Sequence, residues 1–268
     1  MDFKLCPIAS GSSGNCTFLQ AGNKMFLIDI GISGKKAVLG LESLNIDPKD
    51  IQGIFITHEH SDHIKGVGIF SRKYDTPIYA TQKVWDEMVS GNMIGSVKDY
   101  NMRPIVKEVS LQMDELNIFP YTIYHDAVDP VGYTFEYKNK KITIATDIGV
   151  IDEHIKAHLR GSNGILLEFN HDVNMLEAGT YPYYLKKRIL SDVGHLNNEA
   201  AAEVLRDIYH DEMQWAILGH LSKDNNVPDL AYLTAKMALE ERNIIIDRDI
   251  KVSVAKRDGV SEVHFILK

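Results

Sequence analysis

Short apolar runs separated by turn residues fill the first two thirds of the chain, and segments of helical period follow. Runs 24–31, 53–60, 76–81, 117–125 and 164–170 have the length and the β-branched or aromatic content of strands. Pro120 removes a ladder donor from the fourth, which places it at a sheet edge or a bulge. The stretch 132–147 predicts a hairpin, two β-rich runs around Lys138, Asn139 and Lys140. Apolar spacing of three and four predicts helices over 82–90, 183–192, 198–210 and 228–242. The third is capped by Asn197 or Asn198, and the fourth has Pro228 in its first turn. Late strands are expected at 214–220, 250–256 and 263–268. No repeat or linker interrupts the pattern, so residues 1–268 predict a single α/β domain.

Composition changes this picture little. At 44% hydrophobic and 25% charged residues, the chain has enough apolar surface to build a core, so disorder is excluded as its main state. The net charge of −8 argues against a generally basic nucleic-acid coat, although not against a local basic groove. Two cysteines, Cys6 and Cys16, are too few for a disulfide framework or a four-thiolate zinc site, and buried free thiols are expected. The first residues have no apolar signal core, and no apolar run reaches the ~20 residues that span a bilayer. A cytoplasmic protein without a membrane partner is the expectation.

The chemistry is concentrated at predicted strand ends. Residues 58–63 read His-Glu-His-Ser-Asp-His, directly after an apolar run. His125, Asp147 and His220 each follow another strand. One divalent ion needs three or four ligands, so the seven residues His58, His60, Asp62, His63, His125, Asp147 and His220 suffice for two ions with a shared carboxylate. Nitrogen-rich ligation without thiolates suits zinc and accepts manganese or iron. Glu59 is expected to point away from the ions.

The H-x-H-x-D-H spacing of 58–63, with Leu-Ile-Asp-Ile-Gly at 27–31 upstream and Tyr-His-Asp-Ala at 124–127 and Ala-Thr-Asp-Ile-Gly at 145–149 downstream, resembles the metallo-β-lactamase superfamily. That resemblance implies an αββα four-layer sandwich with a binuclear site. It assigns His58, His60 and His125 to one metal, Asp62, His63 and His220 to the other, Asp147 as the bridge, and Asp29 as a residue that orients the histidine loop.

Further stretches narrow the resemblance. Residues 9–19, 125–135, 168–176, 194–201 and 220–228 are together similar to the YycJ/WalJ family of this superfamily. This implies a metal-dependent phosphodiesterase acting 5′-to-3′ on double-stranded DNA, in which a metal-bridging hydroxide attacks phosphorus in line. Asp62 and His195 are the expected catalytic groups, with Glu168 or His171 orienting His195. Ser12, Ser13 and Asn15 in a glycine-serine turn, together with His171, Lys223 and Asn225, are expected to contact substrate; Asn226 would do so or shape the turn. Lys186, Lys187 and Arg188 would follow the DNA backbone. A small-substrate metallohydrolase for thioesters, lactones or cyclic phosphodiesters would use the same metal core, and a non-enzymatic scaffold would need a missing ligand that is not found.

Overall fold

The computed structural model describes residues 3–267 and divides into two compact units. The first comprises residues 1–120, 127–131 and 256–268. Its strands are β1 (Phe3–Ala9), β2 (Cys16–Ala21), β3 (Lys24–Ile28), β4 (Gly53–Phe55), β5 (Ile78–Thr81) and β6 (Met102–Ile105), followed by a hairpin of β7 (Leu111–Met113) and β8 (Leu116–Thr122). A C-terminal strand, His264–Phe265, pairs antiparallel with β1 and begins a sheet that continues in the order β1 to β6. β1, β2 and β3 are antiparallel, whereas β3 to β6 are parallel. Helices α1 (Gly34–Ser43), α2 (Ser61–Ile64), α3 (Val67–Tyr74) and α4 (Gln82–Ser90) lie between these strands in sequence.

The inner parallel strands bury both faces, whereas the edge strand β6 is exposed at Arg103 and Pro104. β4 is wholly buried, and Ile54, Ile78, Leu27 and Trp85 belong to one apolar core with Ala37 and Leu41 of α1. Close backbone approach is built in at Gly40 of α1, where a Cβ would stand 2.3 Å from Ile8 Cγ2. β7 pairs only with Leu116–Ile118, so Pro120 lies beyond that ladder, where its missing N–H costs nothing on that side.

The second unit comprises residues 121–126 and 132–255. It holds β9 (Val131–Tyr137), β10 (Lys140–Ala145), α5 (Glu153–Leu159), β11 (Gly164–Glu168), α6 (Val173–Ala178), α7 (Tyr183–Ile189), α8 (Asn198–Ile208), β12 (Trp215–Gly219), α9 (Pro228–Glu240) and β13 (Lys251–Val254). β9 and β10 form the predicted hairpin. Its turn is Lys138-Asn139, both left-handed with φ of 51° and 62°, and Lys140 already pairs with Tyr137. β10, β11, β12 and β13 then run parallel. The fully buried β11 and β12 have the continuous apolar character expected of parallel strands covered on both faces.

The structure shortens most predicted elements, two of them beside the candidate site. β4 stops at Phe55, so residues 56–60 leave the sheet before the histidine motif. α7 stops at Ile189, and residues 190–197 form an irregular loop apart from a bridge at Asn197. The predicted cap of α8 is Asn197, whose side chain accepts a hydrogen bond from Ala200 N at 2.8 Å.

Candidate metal centre

In both units, chemistry-bearing residues stand at the carboxyl ends of parallel strands, where an open α/β sheet leaves side chains and loops exposed to ligands. Asp29 follows β3, and Thr57 to His63 follow β4. Asp147 follows β10, Glu168 ends β11 and His220 follows β12. Asp29, Asp147 and His220 adopt left-handed backbone conformations with φ of 58°, 57° and 56°. Such positions cost free energy outside glycine and are concentrated at functional sites. Each turns the chain sharply at the strand end.

In the first unit, one carboxylate organises the histidine loop. Asp29 Oδ1 accepts from Thr57 N at 2.9 Å, and Oδ2 accepts from Thr57 Oγ1 at 2.8 Å and His63 Nδ1 at 2.7 Å. With its own proton given to Asp29, Thr57 Oγ1 accepts from His58 Nδ1 at 3.0 Å. This network assigns the Nδ1–H tautomer to both His58 and His63 and leaves Nε2 of each as the lone-pair nitrogen. His58 Nε2 stands 3.1 Å from His60 Nδ1, and His63 Nε2 stands 3.7 Å from Asp62 Oδ2. The loop approaches β3 closely: Ile30 N donates to His63 O, and a Cβ on Gly31 would fall 1.5 Å from Asp62 O. Only glycine fits there.

In the second unit, the organiser is Glu168, which is 0% exposed. Its Oε1 accepts from His220 Nδ1 at 2.7 Å and from His195 Nδ1 at 2.9 Å, while Oε2 accepts from Ile148 N at 2.8 Å and Leu196 N at 3.3 Å. Burial pushes this carboxyl up, but the His195 and His220 imidazoles outweigh it and hold Glu168 ionised, down to about 2. His125 Nδ1 donates to Gly194 O at 3.2 Å, and burial pushes its imidazole down towards the neutral form. Asp147 Oδ1 then faces ring nitrogens, 3.4 Å from His220 Nε2, 3.7 Å from His195 Nδ1 and 3.9 Å from His125 Nε2. Gly149 admits the loop that carries His195, since a Cβ there would lie 2.3 Å from Asp192 O.

This donor set fits divalent ions. Asp147, Glu168, His195 and His220 cluster within 4.8 Å of one another, and since Glu168 Oε1 is bonded to both Nδ1 atoms, His220 Nε2 and Asp147 are the atoms of this group that suit an ion. Two nitrogens bound tetrahedrally to one zinc at ~2.0–2.1 Å stand about 3.3 Å apart. The His58–His60 spacing of 3.1 Å and the His220–Asp147 spacing of 3.4 Å match that distance. A metal-ligating histidine characteristically donates its other ring nitrogen to a carboxylate, carbonyl or similar acceptor, which four of these imidazoles do.

The remaining predicted residues are placed as follows. Ser12 and Ser13 are exposed at the turn between β1 and β2. Asn15 is buried, and its Nδ2 lies 3.0 Å from His63 Nε2 while its Oδ1 accepts from Gly11 N, so it braces the histidine loop. His171 is 1% exposed and its Nδ1 lies 3.3 Å from Asn170 Oδ1; of the two residues expected to orient His195, only Glu168 is bonded to it. Asn225 is 1% exposed and its carbonyl accepts from Asp172 N. Asn226 shapes the turn through bonds to Phe169 O, Asn170 O and Asn198. Lys223 is exposed. Glu59 is buried rather than free in the loop, and its Oε1 accepts from Val128 N at 3.0 Å.

Sequence reasoning missed Thr57 and Asp126. Thr57 immediately precedes the histidine motif, where a hydroxyl can serve two imidazoles. Asp126 follows His125, and its Oδ1 lies 3.4 Å from His125 Nε2 while Oδ2 pairs with Arg188. Cys6 and Cys16 are buried free thiols, as expected. Among the described residues, no helix is long and apolar enough to cross a membrane.

The beta-lactamase superfamily domain model matches residues 25–220. The chain is 40% identical over 236 residues to the exodeoxyribonuclease YycJ of Bacillus anthracis, covering 88% of each chain. It is 38% identical over 250 residues to the exodeoxyribonuclease WalJ of Streptococcus pneumoniae D39, covering 93% of each. The crystal structure of the metallo-β-lactamase fold protein YhfI from Bacillus subtilis superposes with a TM-score of 0.71 at 15% identity, covering 97% of this chain and 98% of that one. This likeness shows the α/β fold expected from the sequence.

Proposed function

Because the chain belongs to the YycJ/WalJ family of the metallo-β-lactamase superfamily, we propose that it is a metal-dependent nuclease that removes nucleotides from double-stranded DNA in the 5′-to-3′ direction. The observation that carries this reading is the hydrogen-bond geometry: His58, His63, His125, His195 and His220 each turn Nδ1 to an internal acceptor, so that Nε2 points away from it. A scaffold has no use for five imidazoles oriented alike. The ligands in this proposal are His58, His60, Asp62 and His63 from the first unit and His125, Asp147 and His220 from the second. Zinc or manganese suits this nitrogen and carboxylate set, and iron is compatible. Two such ions, when bound, acidify water and neutralise charge on a phosphodiester.

The chain's own groups then act as follows. Glu168 fixes His195, whose side chain is 19% exposed and is the more open of the two imidazoles that Glu168 holds. Held through Nδ1 by Glu168, His195 turns its Nε2 edge towards a phosphate oxygen or the leaving oxygen, and as a proton donor there it would have Glu168 as its counter-ion. Asp29 and Thr57 keep His58 and His63 from turning. Ser12, Ser13 and Lys223 are the accessible groups of the expected substrate set. Action in the cytoplasm is part of the same proposal. The small-substrate alternative has no support from the named relatives.

The test is a gel time course with Mn²⁺ on a blunt duplex, labelled in separate samples at the 5′ end and internally, with Asp147→Asn as control. Early release of labelled 5′ mononucleotide, absent in the variant, is expected. Internal cuts first, or no cleavage of DNA by a metal-loaded protein, overturns the proposal.

A further inference from the structure

The second unit carries an exposed surface that the hydrolytic chemistry does not use. Helix α7 reads Tyr-Tyr-Leu-Lys-Lys-Arg-Ile and contains no acidic residue. Tyr183 is 81% exposed and Tyr184 is 74% exposed, the largest exposures among the large apolar and aromatic side chains described. Two adjacent tyrosines left in water gain nothing for folding, since burying them elsewhere would be favourable. Lys187 lies four residues after Tyr183, and Arg188 four after Tyr184, so each tyrosine shares a helix face with a cation.

The three basic residues have separate positions. Lys186 turns inward, its Nζ donating to Glu177 O and Gly179 O at 2.7 Å each. Arg188 pairs through Nε with Asp126, which also approaches His125. Lys187 is exposed and carries the outward charge. On a chain of net charge −8, this aromatic and cationic face is opposite in sign to the whole and complementary to a polyanion.

The helix is also fastened to the reactive histidines. His195 N donates to Ile189 O at 3.0 Å, Gly194 N donates to Ser191 O at 2.8 Å, and Gly194 O receives His125 Nδ1. A Cβ on Gly194 would meet Arg188 O at 2.3 Å, so the loop is pressed against the helix end. A ligand held on α7 is therefore registered against His195 and His125 through a rigid path a few residues long.

We propose that the exposed face of α7 is the docking surface for the DNA substrate: Tyr183 and Tyr184 pack on bases or sugars at the duplex end, and Lys187 contacts a backbone phosphate. This rests on the nuclease reading for its choice of polyanion. Aromatic platforms beside cationic groups hold unpaired bases without reading sequence, and a frayed or terminal base at a duplex end offers the same π-face.

The experiment compares the Mn²⁺-loaded wild type with a Tyr183→Ala/Tyr184→Ala variant and with Lys187→Gln. Three readouts are taken: equilibrium binding of a fluorescent blunt duplex across a salt series, steady-state cleavage of that duplex, and hydrolysis of bis(p-nitrophenyl) phosphate, which has no duplex end to dock. The tyrosine variant should weaken duplex binding and raise KM by about tenfold or more, leaving bis(p-nitrophenyl) phosphate turnover unchanged. Lys187→Gln should flatten the salt dependence of log K by about 0.9, the loss of one phosphate contact. Unchanged duplex affinity and KM in both variants overturn the proposal. Wild type that binds duplex through these residues but does not cleave it would uphold the docking surface and sink the nuclease reading. Wild type that neither binds nor cleaves DNA would sink both.

Discussion

The same tripeptide, Asp-Ile-Gly, stands at residues 29–31 in the first unit and 147–149 in the second. Both aspartates are left-handed, both isoleucines are fully buried, and both glycines receive the backbone of a loop bearing a histidine. The backbones are alike, and the carboxylates differ in use. Asp29 faces an Nδ1–H and a hydroxyl and holds other groups in place. Asp147 Oδ1 lies among three imidazoles, 3.4 Å from His220 Nε2, 3.7 Å from His195 Nδ1 and 3.9 Å from His125 Nε2, and under the proposed function it would meet a cation there. In the second unit, the holding role moves to Glu168. Asp29 is thus spent on hydrogen bonds within its own loop, whereas under the proposed function Asp147 is a ligand.

Breaking each carboxylate tests that separation, and the largest effect is expected at Asp147. Asp147→Asn, tolerated by the left-handed backbone, should abolish nuclease turnover at any Mn²⁺ concentration. Asp29→Asn should weaken metal affinity ~10–100-fold, with activity returning at saturating Mn²⁺. Metal titrations followed by activity and by calorimetry check both, and equal rescue of the two variants would erase the distinction.

Glu168→Gln sharpens it further. The amide cannot serve as counter-ion to His195, so kcat should fall roughly 10²–10⁴-fold while KM for DNA changes little. A fall in KM affinity without loss of kcat would remove Glu168 from its positioning role.

The glycines come next. Gly31→Ala must displace Asp62 O from 1.5 Å, whereas Gly149→Ala must displace Asp192 O from 2.3 Å. Both should destabilise, by about 1–3 kcal/mol in thermal or urea unfolding, with Gly31→Ala the more severe. The reverse order would show that the second loop is the tighter one.

The smallest effect belongs to the cysteines of the first unit. Burial pushes the Cys6 thiol up to about 12 and raises Cys16 as well. A raised thiol favours the neutral form in the fold. Its contribution to stability is complete below the unfolded thiol value of 9.0 and is lost as pH rises towards about 12. Iodoacetamide should therefore label neither thiol at pH 8 until the protein is unfolded, which mass spectrometry checks.

The place of the candidate centre was legible in the sequence because histidines and carboxylates at fixed spacing after apolar runs form an uncommon pattern. His58 to His63, Asp147 and His220 were readable from motif and strand end alone. The parallel strands at 164–170 and 214–220 were readable because burial on both faces makes them continuously apolar. α1 was not read: Gly34 and Gly40 weaken its helical signal, and the side chain of Ser33 that caps it is visible only in three dimensions. The holding bonds of Thr57 and the burial of Asn15, His171 and Asn225 were equally hidden, since a polar residue in a loop looks the same whether it faces water or an imidazole. Lys186, Lys187 and Arg188 form one run in the sequence but have three different environments in the fold.

The C-terminal strand at His264–Phe265 has a consequence for synthesis. Its partners in the ladder are Lys4 and Leu5, so the outer edge of the first sheet is completed by residues translated after the whole second unit. On the ribosome, β1 stays an open edge while some 130 intervening residues form a separate core. An unpaired edge strand is a template for pairing with other chains. Slow translation through the second unit should thus prolong the interval in which nascent chains can join to one another through β1.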